Sequence, residues 1–165
     1  MKFRSAALLQ AHWALLPTAA TQVPFSEYIL APSSRVIRPD SLYQTGGNVN
    51  NAVAPLPTGA ATPTVNQSTT FAGNGSYVTL DFGKNLAGRV SFQVDVVSGT
   101  NDSIGFTFSE SSMYISAQYC DAVTDGVFDL PQWFNDTTPG HYEAGHDFQR
   151  GAFRYLTIVH NSWNH

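Results

Sequence analysis

Glu110, Glu143 and Asp147 are carboxylates that could serve acid–base chemistry. Glycoside hydrolysis needs two carboxyl groups facing one bond, roughly 5–10 Å apart. The spacing of these three specifies no such pair, so no catalytic residue is assigned. No Gly-x-Ser-x-Gly elbow offers a nucleophile. His141 and His146 are five apart, which fits neither the His-Glu-x-x-His zinc spacing nor a strand period, and they read as exposed loop residues. Asp121, Asp125 and Asp129 recur every fourth residue around Gly126. Calcium takes clustered oxygen ligands, but the EF-hand loop pattern is absent, and a solvated acidic loop is preferred. No Cys-x-x-Cys or Cys/His cluster exists, so no metal or other cofactor is expected. Cys120 is the single cysteine. In an exported protein it points to intermolecular pairing, a free thiol or a missing partner, or else it is a buried small hydrophobe.

Aromatic residues offer the clearer binding chemistry. Trp133, Phe134, Tyr114 and Tyr119 fall in a stretch, Tyr114 to Asp136, that reads as a long loop with a short helical turn. Exposed rings stack on the apolar faces of sugars. The bland alternative, which we prefer, is that these rings cover the core or pack against another domain.

The elements that must position these groups begin after a leader. Lys2 and Arg4 precede an apolar body, and Thr18-Ala19-Ala20 supplies small residues for cleavage, so residues 1–20 read as a signal peptide of a secreted, extracellular protein. A short amphipathic helix is the alternative. Sequons at Asn66, Asn74, Asn101 and Asn135 fall in expected turns or loops, where glycans fit. Charged residues are only 12% of the chain, so glycans are expected to supply part of its solubility. Eight Lys and Arg build no basic patch, which argues against nucleic-acid partners. No later stretch approaches 18 apolar residues, so no membrane span is expected.

The 165 residues have room for one domain. Residues 21–76 read as an extended arm and loops rich in Pro, Asn and Thr: Val23 to Tyr43 as a Pro-punctuated irregular strand, and Gly46 to Phe71, free of charge, as a long loop or a set of short edge pieces. Residues 77–160 alternate with period two. Val78, Leu80 and Phe82 form one set, Val90, Phe92, Val94 and Val96 the cleanest, and Ile104, Phe106 and Phe108 a third. Phe153 to Val159 is β-branched and aromatic. Spaced strands with turn signals predict an all-β fold, an antiparallel β-sandwich of jelly-roll type. Residues 161–165 form a tail.

Two blocks carry a family resemblance. The first is Val78-Thr79-Leu80-Asp81-Phe82-Gly83-Lys84-Asn85-Leu86-Ala87-Gly88-Arg89-Val90, followed by Ser98-Gly99 and Glu110-Ser111-Ser112; the second is Gly151-Ala152-Phe153-Arg154-Tyr155-Leu156. They resemble the β-sandwich domain that precedes the catalytic barrel of α-L-rhamnosidases. Tyr28 to Arg35 is similar to the mature N-terminus of fungal members. Ala152 departs, because the family usually has Gly there. The resemblance implies a structural role for Gly83, Gly88, Glu110 and Arg154. The glycines would sit at either end of a hairpin connection. Arg154 would pair with a carboxylate such as Glu110 or Asp81 and clamp two sheets, a reading preferred over the alternative of a sugar-binding role. The resemblance places the general acid and base in a later α/α barrel, so the chain reads as a truncated, non-catalytic accessory portion with a scaffold or substrate-cleft role. Its expected partners are that barrel or a rhamnose-containing glycan. The alternatives are a free-standing carbohydrate-binding module and a small independent glycoside hydrolase.

Overall fold

The computed structural model describes residues 36–53, 55–56, 68–99, 101–121, 123–124 and 127–162. The leader 1–20, the block Tyr28 to Arg35, Asn66, Asp125 and the last three residues lie outside them. The strands are β1 (Ser41–Asn50), β2 (Thr70–Gly88), β3 (Ser91–Val94), β4 (Asp102–Ser109), β5 (Val123–Thr124), β6 (Val127–Phe128), β7 (Gln132–Phe134), β8 (Gly140–Glu143) and β9 (Arg150–Ser162). Among the described residues two 3₁₀ turns, Ser112–Tyr114 and His146–Phe148, interrupt them. The fold is all-β and antiparallel. A five-stranded sheet has the order β1-β2-β9-β4-β7, and β3-β8 and β5-β6 form two-stranded ribbons.

The central strand β9 lies between β2 and β4 and is covered on both faces. That is why Phe153 to Val159 shows a near-continuous apolar run and not a clean alternation. On one face, Leu80 is opposite Leu156, and Phe106 and Phe108 are opposite Ile158 and Leu156. Phe82, Phe106, Phe108, Phe153, Leu156, Val90 and Cys120 form the buried cluster there. The β3-β8 ribbon is fastened to this face by Phe92. Its ring centroid lies 5.0 Å from Phe106 and 5.0 Å from Phe134, and it stacks on Tyr142 at 5.1 Å. A row of threonines crosses the centre of the sheet, with Thr79 and Thr107 both opposite Thr157. The Thr79 and Thr157 hydroxyls bond each other at 2.9 Å, and the Thr107 hydroxyl donates to the Ser116 carbonyl, so burial leaves these groups paired.

Within residues 21–76, β1 and the first seven residues of β2 are strand, and β1 joins the main sheet as an edge strand. The structure redraws three local expectations. Gly83 and Gly88 are not the ends of a hairpin. Both belong to β2, which stays paired to β9 across an irregularity between Asp81 and Leu86. Gly83 takes φ +71° there, and a Cβ at that position would collide with the Asp40 carboxylate. The strand expected over Val90 to Val96 is only Ser91–Val94, because β8 offers four partners, and Val96 is 81% exposed. Trp133 and Phe134 lie in β7, paired to β4, and not in a loop.

Candidate functional site

Asp81 and Arg154 form the best-defined polar contact. Register places Asp81 opposite Tyr155, one residue from Arg154. The guanidinium grips the carboxylate with both arms, Nε to Oδ1 at 2.8 Å and Nη2 to Oδ2 at 2.9 Å. Oδ1 also accepts the Gly83 N–H at 2.6 Å. The Arg154 hydrogen bonds hold the Asp81 carboxyl below the usual carboxylate range, against the opposing effect of burial and with help from Gly83. The pair joins neighbouring strands of one sheet and does not clamp two sheets. Arg154 also lies over the Tyr155 ring, 5.1 Å from its centroid.

A second feature is an open cleft of about 380 Å³ where the end of β4, the first 3₁₀ turn and the start of β9 meet. Phe108, Phe153 and Cys120 line it with apolar surface, and Glu110, Asp121, Arg150 and Tyr114 supply its polar edge. The Asp121 Oδ2 accepts the Glu110 N–H at 2.6 Å and lies 3.0 Å from the Ser109 hydroxyl, whose one proton is shared with the Ser111 carbonyl at 2.6 Å. The Asp121 N–H donates to the Phe108 carbonyl at 3.1 Å, which folds the loop back against β4. Arg150 bonds Asp129 at 3.0 Å and lies over the Phe108 ring. The Cys120 thiol is 3% exposed and directed to the Leu130 carbonyl at 3.6 Å, and burial pushes its pKa up.

Ala152, on the cleft wall, has φ +55°. This is the position where the resembled motif carries Gly. A left-handed Ala costs roughly 1–2 kcal/mol, and Gly adds less than that in unfolded-chain entropy. Ala152→Gly is therefore expected to raise stability by about 0.5–1 kcal/mol. The readout is a higher urea midpoint at unchanged slope; a lower midpoint would contradict the strain.

The four aromatics do not converge. Tyr114, 61% exposed, stands at the cleft. Tyr119 leans on Phe128 with centroids 5.5 Å apart. Trp133 lies across Gly105, where any Cβ would meet its ring at 2.7 Å. Phe134 packs edge-on against Phe92 and Phe106. Glu110 is exposed and accepts the Asn85 amide at 3.4 Å; it does not meet Arg154. Asp121 and Asp129 have separate partners, and among the described residues no group of three His, Cys, Asp or Glu is placed to hold a metal ion. His141 is on β8 and His146 opens the second 3₁₀ turn, both exposed. Asn74, Asn101 and Asn135 are exposed; Asn74 lies within β2 between two glycines of positive φ. Arg150 has no signal of its own in the sequence beyond preceding the second block.

No family model matches the chain, and no curated protein matches it. Among solved structures it is similar to a rhamnosidase from Klebsiella oxytoca with rhamnose bound, at 14% identity and a TM-score of 0.39. That similarity covers 74% of this chain and 24% of the other, so the chain spans about a quarter of the structure it matches.

Proposed function

We propose that this chain is the non-catalytic β-sandwich portion of a secreted α-L-rhamnosidase-like glycoside hydrolase, a scaffold that packs beside a catalytic α/α barrel. One observation carries the reading. The two blocks that resemble that family lie on paired strands, and their charged residues Asp81 and Arg154 are engaged with each other. Charged motif residues that tie strands together befit a scaffold. A catalytic carboxylate must instead stay free to meet substrate.

The purified chain is expected to show no turnover of an aryl α-L-rhamnoside. Mixed with the barrel of a fungal α-L-rhamnosidase produced without its own sandwich, it is expected to co-elute on size exclusion and raise the barrel's melting temperature. Failure to co-elute would sink the scaffold role. Turnover by the chain alone, abolished by Glu110→Gln, would establish a small independent hydrolase in its place.

A further inference from the structure

We infer that the cleft at the end of β4 is a binding site for a neutral saccharide of one or two pyranose rings. This goes beyond the scaffold role and stands on the cleft alone, so either can fail without the other. A pyranose presents an apolar C–H face and an edge of hydroxyls, each both donor and acceptor. The cleft divides the same way. Phe108 and Phe153 give it an apolar lining, while Asp121 and Glu110 offer acceptors and Arg150 offers donors. Its volume, about 380 Å³, lies at the small end of the roughly 300–1,000 Å³ usual for ligand sites.

Two details mark the cleft as a prepared site. The Asp121 carboxylate is already fixed through Oδ2 by the Glu110 N–H at 2.6 Å, so it need not be ordered on binding. Tyr114, exposed on its short 3₁₀ turn, supplies a ring free to stack on a sugar face.

Charge selects neutral ligands. Two carboxylates, Glu110 and Asp121, and one guanidinium, Arg150, line the cleft, and Asp129 already pairs with that guanidinium. The local balance is negative, in a chain of net charge −4, and it repels uronates and phosphates.

The test is saturation-transfer NMR and calorimetry on the whole purified chain. The probes are methyl α-L-rhamnopyranoside, a neutral rhamnosyl-glucose disaccharide and sodium galacturonate. At least one neutral sugar is expected to bind with a Kd on the order of 1 mM, the range such small ligands reach. Galacturonate is expected to bind at least tenfold more weakly. Tyr114→Ala is expected to weaken binding tenfold or more at unchanged melting temperature, and Tyr114→Phe to keep it. No transfer from either neutral sugar at tenfold that concentration, tighter binding of galacturonate, or binding indifferent to Tyr114→Ala would each overturn the assignment.

Discussion

Phe106→Ala is expected to lower the unfolding free energy by about 3–5 kcal/mol, the usual range for emptying a buried aromatic site. Phe106 is 1% exposed. Its ring lies where two layers meet, 5.0 Å from Phe92 and 5.8 Å from Phe134. Its backbone is held on both sides, opposite Ile158 of β9 and Gln132 of β7. The strand cannot move in to close a cavity, so the loss stays near the upper part of the range. A domain with only about 5–15 kcal/mol of net stability is left marginal by such a change. The damage should be uneven. Phe92 connects the β3-β8 ribbon to the main sheet, and without Phe106 it loses one of the rings it packs against. Amide exchange in β3 and β8 is therefore expected to quicken more than in β2 and β9. Phe106→Leu, which keeps most of the volume, should cost far less. Urea melts and residue-resolved exchange check both statements. A cost below about 1 kcal/mol would mean that Phe106 does not seat the ribbon.

The same packing explains what the sequence made legible. Ile104, Phe106 and Phe108 alternate because their neighbours face away from the ring cluster, so period two survives in β4. The all-β class follows from that pattern and from the run at Phe153 to Val159. The bounds of β1 stayed hidden because it is an edge strand with little buried surface, and its residues have no reason to be apolar. The start of β2 stayed hidden because Gly73 and Gly75 have positive φ and their local composition is that of a turn. At Val90 to Val96 the pattern outran the pairing: the alternation continues, but the partner strand ends. The cleft divides similarly. Glu110 and Tyr114 could be named as useful side-chain types. Their convergence with Asp121 and Arg150 depends on a loop folding back on β4 and on the start of β9, and spacing along the chain does not encode that. The motif blocks did better, because Asp81 and Arg154 lie on strands whose register brings them together.

That pairing gives the second large effect, and its sign can be worked out. Asp81→Asn is expected to cost about 1–2 kcal/mol at neutral pH, toward and below the lower end of the roughly 1.5–3 kcal/mol for hydrogen bonds to a charged partner. Arg154 is 40% exposed, so water takes over part of the lost interaction and holds the figure below that of a fully buried pair. The folded carboxyl is held below its ordinary value of 3.8. The unfolded chain therefore binds the proton more readily than the folded one. The pair's contribution is complete above the ordinary value and is lost as pH falls through the depressed folded value. Wild type should lose this increment on acidification, while Asp81→Asn has no such increment to lose. The gap between their melting temperatures is expected to be widest near neutrality and to close in acid. Arg154→Met should be worse than Asp81→Asn at pH 7, because it leaves a charged carboxylate among buried neighbours with only the Gly83 N–H to satisfy it. Its deficit should begin to shrink at a higher pH, since burial then acts on Asp81 without the guanidinium to oppose it. Melting curves of the three proteins from pH 7 down to well below 3.8 separate these behaviours. A gap between wild type and Asp81→Asn that stays constant over that range would show that the pair holds β2 to β9 by shape and not by charge.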